Sequence, residues 1–450
     1  MSHHLPHPQA TAARSIPRSA LVRGARLAAL PLGFAGRSAL KVGKRLAGQP
    51  AELLAQELQR RTGQHLFSVL GELKGGAMKF GQMLSVFEAA LPPEAAAPYR
   101  AALTLLQEAA PALPAGRVAA VLAAELGEDW RERFDTFEEE PAAAASIGQV
   151  HRAIWADGRP VAVKIQYPGA AEALLGDYAQ LGKAVRLCSV IAPGLDVRPM
   201  LDELQERVAE ELDYRQEAAA QQAFADAYRD TREVVVPEVV AFTPRVLITE
   251  WLDGTPLSRV IREGSRAERD AAGLAYTRFL LSGPERAGYL HADVHPGNFR
   301  VLPDGRLGVL DFGAVKHLPG GFPPAMGRLL RLALADDWDA AREVLVHEGF
   351  LRADAALDED ALRAFLSPIA DPSRADIHQF TRAWLRAQVA RATGAHRTAL
   401  LRSLNLPPSY VLVNRVVGSA IAVLAQLECE LPFRAETLRW LPDPAGGARA

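Results

Sequence analysis

Three oxygen-bearing side chains stand close together late in the chain. Asp293 and Asn298 lie five residues apart in Leu290-His291-Ala292-Asp293-Val294-His295-Pro296-Gly297-Asn298, and Asp311 opens Asp311-Phe312-Gly313 thirteen residues after the asparagine. Such a set can divide the work of phosphoryl transfer. One carboxylate accepts or orients the proton of an attacking hydroxyl. A second carboxylate and an amide oxygen hold Mg²⁺ against nucleotide phosphates, because a hard cation takes oxygen ligands. D-F-G alone is weak, but H-x-D-x-x-x-x-N with D-F-G behind it is specific. Gly305, in the turn Pro303-Asp304-Gly305-Arg306, allows a short hairpin to return Asp311 to the side of Asn298.

A bound triphosphate also needs a cation from the protein. Val161-Ala162-Val163-Lys164 is close to the V-A-I-K strand of kinases, whose lysine contacts phosphates and pairs with a helix-borne glutamate. It is the second strand of an expected hairpin: Val150 to Trp155, turn Asp157-Gly158, then Pro160 to Ile165. The loop before it, Pro141 to Val150, is placed to cover phosphates with Ala144, Ala145, Ser146, Gly148 and Gln149. Alanines stand where kinases carry G-x-G-x-x-G, and their methyl groups restrict φ and close approach. Phosphate geometry or nucleotide selectivity should therefore differ from that of a standard kinase. The lysine's partner is expected in Glu210 to Glu217. Glu211 and Glu217 are six residues apart, about 240° around a helix, so one of them meets Lys164 and the other serves something else. Val246 to Leu252, including Glu250, reads as the strand and hinge that grip adenine.

The elements that position these residues follow from periodicity and punctuation. Helices are expected at 94–109, 115–126, 170–192, 198–229 and 267–282, with a short extended piece from Phe134 to Phe137. Val234 to Val240 is a candidate edge strand because Pro237 interrupts it. After Gly313 the chain reads as helices at 322–336, 338–349, 358–368, 376–394, 397–403 and 408–428. No A-P-E tripeptide follows D-F-G, which argues against a dedicated protein kinase. Upstream, Pro50 to Glu88 keeps a helical rhythm that carries Lys79-Phe80-Gly81-Gln82. Lys79 and Gln82 share a helix face, and Gly81 between them suits close approach by another backbone or a ligand.

The composition is 49% apolar and 23% charged, with a net charge of −2. Two cysteines make no disulfide framework. No uncharged apolar run reaches the length of a membrane span. The first 50 residues carry eight basic side chains and no acidic one, so the remainder carries −10. That basic segment, with apolar residues interleaved, suits the surface of an anionic membrane as well as it suits a disordered tail.

Together these residues resemble the UbiB/AarF/ADCK family of atypical kinases over about 50–315. Lys79, Gly81 and Gln82 match the family's K-x-G-Q motif, Ala142 to Val150 its alanine-rich loop, and Glu211-Leu212-Asp213 its E-x-D motif. The resemblance implies an α+β, two-lobed protein-kinase-like fold: a small antiparallel sheet lobe, a large helical lobe, and an N-terminal helical extension over the nucleotide site. It implies ATP or ADP and Mg²⁺ as cofactors. Lys164 then contacts phosphates with Glu217 as its partner, Asp293 is the catalytic base, and Asn298 and Asp311 hold the metal. Lys79 and Gln82 lie over the pocket beside Glu211 and Asp213. The expected domains are 1–48 (basic segment), 49–140 (helical extension), 141–255 (small lobe), 256–440 (large lobe) and 441–450 (tail).

The expected activity is that of an ATPase or of a phosphotransferase acting on a small molecule or lipid, linked to isoprenoid quinone or lipid metabolism. The alternative is a nucleotide-gated lipid-binding or scaffold protein with little phosphoryl transfer. Expected partners are a nucleotide and an isoprenoid lipid or anionic membrane surface, with no nucleic acid; a homodimer is compatible with the reading. The expected location is the cytoplasm, with peripheral membrane contact. Some bacterial members end in transmembrane helices, and none is expected here. An aminoglycoside- or choline-kinase-like enzyme would share the catalytic loop but leaves Lys79-x-Gly81-Gln82 unexplained.

Overall fold

A computed structural model describes residues 113–145, 147–169, 212–352, 359–393, 405 and 407–442. The expectations for 1–48, for the helix from Pro50 to Glu88 with Lys79 and Gln82, for the helix at 94–109, for Ser146, for 170–192, for 198–211 with Glu211, for 397–403 and for the tail beyond 442 lie outside these residues.

In chain order the first described elements are α1 (Ala115–Leu126), β1 (Phe134–Phe137), β2 (Ala143–Ala145), β3 (Gly148–Trp155), β4 (Pro160–Gln166), α2 (Tyr214–Tyr228), β5 (Val234–Val235), β6 (Val239–Phe242) and β7 (Val246–Glu250). Side chains alternate along β4, so Val161, Val163 and Ile165 are fully buried on one face while Lys164 projects from the other. The strands form one antiparallel sheet in the order β1-β3-β4-β7-β6, with β2 paired to β3. Its outer face is closed by Val118, Val121 and Leu122 of α1, together with Trp130 and Phe134. Its inner face receives the start of α2, where Tyr214 and Ala218 meet Leu247 of β7. Asp213 caps α2 by accepting from the Arg215 N–H at 3.1 Å.

The expected strand from Val234 to Val240 divides at Pro237, which has no N–H to give a ladder. Its two halves join different sheets: β6 stays at the edge of the small-lobe sheet, whereas β5 pairs in parallel with a strand of the large lobe.

The large lobe comprises β8 (Thr255–Pro256), α3 (Leu257–Glu263), α4 (Arg266–Ala287), β9 (Tyr289–His291), β10 (Phe299–Val301), β11 (Leu307–Val309), β12 (Val315–His317), α5 (Pro324–Leu334), α6 (Trp338–His347), α7 (Glu359–Ala370), β13 (His378–Gln379), α8 (Arg382–Thr393), α9 (Pro408–Leu427), β14 (Glu430–Leu431) and α10 (Phe433–Trp440). A capping box between Ser265 and Glu268 starts α4, and Gly288 in the left-handed region (φ 74°) ends it. Tyr276, Phe279 and Leu280 of α4 lie in a core shared with β9, β11, α5, α7 and α9. The α+β, two-lobed kinase-like expectation is met.

The sequence reading had no place for α10 or for the two-residue strands β8, β13 and β14. Helix α9 is long and apolar enough to pass as a membrane span (Ser409–Leu427, mean hydropathy 1.6), but 61% of it is buried inside the protein. Val413, Val423, Ala425 and Leu427 have no exposed surface. Packing of α9 within the large lobe accounts for its composition.

A candidate nucleotide and metal site between the lobes

Lys164 leaves the inner face of β4 and reaches across to two carboxylates. Its Nζ lies 2.6 Å from Glu217 Oε1 and 3.4 Å from Asp311 Oδ2. Glu217 is on the first turn of α2 and is 5% exposed, whereas Asp311 belongs to the large lobe. Burial pulls the ammonium toward neutrality, but Asp311 and Glu217 more than offset it and hold Lys164 charged, well above the ordinary lysine range. The Tyr214 ring, 5.1 Å from Nζ, adds a π face. Of the two glutamates that helix geometry left open, Glu217 is the one that meets the lysine.

The large-lobe half of the site is built on a hairpin. Strands β10 and β11 pair antiparallel from Phe299↔Val309 to Val301↔Leu307, and Gly305 takes the left-handed φ of 85° that the turn needs. The Leu310 N–H donates to the Asn298 carbonyl at 2.9 Å, which brings Asp311 back beside the asparagine. The Asn298 amide donates to the Asp293 carbonyl at 3.1 Å, leaving its Oδ1 as the atom suited to a cation. Asp311 Oδ1 accepts from the Gly313 N–H at 2.9 Å. Asn298 is nearly buried and Asp311 is about one-third exposed, so one backed amide oxygen and one reachable carboxylate share a cleft with Lys164. Among the described residues no cluster of three His, Cys, Asp or Glu side chains could hold a metal. Mg²⁺ bound with a nucleotide does not require one: one or two protein oxygens, phosphate oxygens and water complete its octahedron. The donor set therefore fits the metal.

Two buried groups hold this half from behind. The Tyr276 hydroxyl donates to the Val294 carbonyl at 2.9 Å, fixing the backbone next to Asp293. His291 Nε2–H donates to the Asp311 carbonyl at 2.6 Å. Burial pushes the His291 imidazole below its ordinary range, so it serves as a neutral donor. An aromatic column joins the two halves: Phe224 of α2 lies 5.0 Å from Phe312, and Phe312 lies 5.3 Å from His291.

Several expected site residues point elsewhere. Gln149 pairs in register with Ile165 and so belongs to the outer face of the sheet, where it is 1% exposed. There it accepts from the Leu113 N–H at 2.7 Å and donates to His151 Nε2 at 2.7 Å. This corrects the assignment of its side chain to the nucleotide. Ala144, opposite Gln149, shares that parity, while Ala145, opposite Gly148, does not. Gly148 is required by strand packing, since a Cβ there would stand 2.2 Å from the Ile165 carbonyl oxygen. Glu250 is in register with Val161, and its Oε2 accepts from the Glu238 N–H at 3.2 Å, so its side chain also leaves the cleft. Asp213 is spent on its cap and on a two-pronged pairing with Arg215. Arg215's hydrogen bond holds the Asp213 carboxyl below its ordinary value.

Register also reveals residues that the motifs missed. Val150 opposite Lys164, and Ala162 opposite Thr249, put Val150, Ala162 and Thr249 on the cleft face. The period-two alternation counted from Lys164 was the available signal.

Comparison with known proteins places this geometry. Residues 105–345 match the ABC1 atypical kinase-like domain. Atypical kinase coq-8, mitochondrial, of Caenorhabditis elegans is 28% identical over 350 residues, covering 75% of this chain and 46% of that protein. Atypical kinase COQ8, mitochondrial, of Saccharomyces cerevisiae is 30% identical, covering 68% of this chain and 61% of that protein. The chain spans about half the length of the first curated relatives it matches. A solved structure of Rv3197 with erythromycin, from Mycobacterium tuberculosis, is 44% identical with a TM-score of 0.68, covering 87% of this chain and 99% of that one.

Proposed function

The chain belongs to the ABC1 atypical kinase-like family, and from that premise we propose that it binds Mg²⁺ and ATP between its lobes and acts as an ATPase or as a phosphotransferase on a small molecule or lipid. The observation that supports this reading is the meeting of Lys164 with Glu217 and Asp311 across the interlobe cleft. Lys164 would neutralise the phosphates, and Asn298 and Asp311 would hold Mg²⁺. The metal would supply charge neutralisation on the phosphate oxygens. Asp293, on a loop fixed by Tyr276 and Asn298, would accept the proton of the attacking water or hydroxyl. Names such as COQ8 among the relatives support a place in isoprenoid quinone metabolism. A location in the cytoplasm, with peripheral membrane contact, belongs to the same proposal, as do Lys79, Gln82 and Glu211 as residues that cover the nucleotide and the domain limits at 48, 255 and 440; the expected limit at 140 moves upstream of α1, because β1 pairs with β3 in the small-lobe sheet.

The deciding experiment is Asp311→Asn. Turnover of Mg-ATP should fall about 10²-fold or more, while the variant still unfolds in one cooperative urea transition. Undiminished turnover would reject the metal assignment.

A second reading is nucleotide-gated binding of a lipophilic molecule with little phosphoryl transfer. The erythromycin complex of the 44% identical mycobacterial protein favours it.

A further inference from the structure

A pocket of about 190 Å³ lies where the end of α2 meets α4 and α10. Arg278, Arg286, Arg439, Thr231, Ser282 and Trp440 are among the residues that line it. Arg278 is satisfied by acids: it pairs with Glu233, and its Nε donates to Glu436 Oε1 at 2.7 Å. Glu233, which also lines the pocket, is thereby neutralised. The other two arginines differ. Arg286 lies 5.7 Å from the Tyr228 ring and 5.4 Å from the Trp440 ring, and Arg439 lies 4.8 Å from that same indole. Among the described residues neither guanidinium pairs with a carboxylate. Asp226 and Asp230, which share a neighbouring hollow with Arg286, both act on Arg229 instead. One indole thus gathers two positive charges that repel each other. Stacking on an aromatic face accounts for one cation there, but not for a second with no counter-ion. The Trp440 Nε1–H is itself buried without an acceptor. Behind the arginines the wall is firm: the Tyr228 hydroxyl and Ser282 Oγ, both buried, are hydrogen-bonded at 2.5 Å.

We propose that this pocket is an anion subsite for a phosphate group, free or as the head of a phosphomonoester, held by Arg286 and Arg439 on their common support, Trp440. Guanidinium forks match the oxygens of a tetrahedral anion and bind them by charge-assisted hydrogen bonds. Pockets for drug-sized ligands run to about 300 Å³ or more, so this one suits a phosphate with a short stem and not a nucleotide. Lys164, Glu217, Asp293, Asn298 and Asp311 take no part in lining it, and its occupancy requires no nucleotide in the interlobe cleft.

The test titrates the full chain with inorganic phosphate by calorimetry, at constant ionic strength in chloride. A second arm measures sedimentation with phosphatidylcholine vesicles that contain or lack phosphatidic acid, whose head group is a phosphomonoester. Wild-type protein should bind phosphate saturably with a Kd of about 1 mM or tighter. Arg286→Met and Arg439→Met keep an apolar stem over the rings and remove the donors. Each should weaken binding about tenfold, the loss of a hydrogen bond to a charged group, whereas Arg439→Lys, which keeps the charge, should lose less than Arg439→Met. Melting temperatures in phosphate-free buffer check folding. Arg439 is exposed, and its two variants decide the matter alone if Arg286→Met does not fold. Phosphate binding that the Met variants weaken supports a site for free phosphomonoesters. Binding confined to phosphatidic acid vesicles and weakened by the same variants supports a site for a lipid head group. Wild-type protein that binds neither probe, or binding that the Met variants leave unchanged, overturns the proposal and leaves the Mg-nucleotide reading of the cleft untouched.

Discussion

Lys164 holds two acids apart. Glu217 Oε1 and Asp311 Oδ2 both lie within 3.4 Å of its ammonium, and Glu217 is almost fully buried. Lys164→Met would remove the ammonium that stands between a buried carboxylate and a second one. Breaking a buried pair in this way costs about 3–5 kcal/mol. Glu217→Gln leaves the ammonium its Asp311 partner and should cost distinctly less. Urea denaturation of both variants tests the order, and equal losses would show that Asp311 contributes no pairing. The same cluster shows what single residues disclose. Asp293, Asn298, Asp311 and Lys164 were legible because each sits in a short motif whose spacing carries its meaning. Helix angle alone left Glu211 and Glu217 open; the family resemblance named Glu217, and its contact with Lys164 agrees.

At the scale of elements, β3 shows why motif reading goes astray. Gln149 lies in the expected phosphate-covering loop and His151 just beyond it, and strand parity turns both to the outer face, toward α1. There His151 Nδ1–H donates to the Glu138 carbonyl at 2.8 Å, and its Nε2 accepts from Gln149. A proton on Nε2 would place donor against donor, and burial already pushes the His151 imidazole below its ordinary value. The unfolded chain therefore takes up this proton at a higher pH than the folded one. Stability from this site is full above about pH 6.5, the unperturbed histidine value. It is lost as the pH falls from there toward the folded pKa. One such group changes stability by at most about 1.4 kcal/mol per pH unit. The urea midpoint of wild-type protein should fall between about pH 6.5 and 5, and His151→Gln should flatten that slope; identical slopes would assign the acid sensitivity to other groups. The strand from Val234 to Val240 teaches a related lesson. Pro237 marked an interruption, but that the two halves would join sheets in different lobes depends on partners far away in the chain.

For the whole molecule, the proposed ligand lies between a lysine on one lobe and metal-binding oxygens on the other, so it should stabilise both lobes together. Mg-ADP at 100 times its Kd should add about 2.7 kcal/mol, seen as a single cooperative rise in melting temperature that EDTA reverses. Under the second reading nucleotide should also change sedimentation with anionic liposomes containing polyprenyl phenol, and should still do so in Asp293→Asn. Liposome binding that ignores nucleotide in both proteins would discard that reading.

The amino-acid sequence by itself determined the fold class and the set of candidate site residues. Catalytic-loop spacing, the hairpin turns and the alternation in Val161 to Ile165 are local, and local patterns survive without knowledge of neighbours. It also carried the kinase-like resemblance, because several short motifs recur in a fixed order. Only the tertiary structure decided which side chains enter the cleft. Sheet register sent Gln149 and Glu250 outward and put Thr249 inward. An apolar helix long enough to cross a bilayer became a core element instead. The physical reason is common to all of these: a side chain's direction depends on pairing and burial between segments far apart in the chain, and no window of sequence contains both partners.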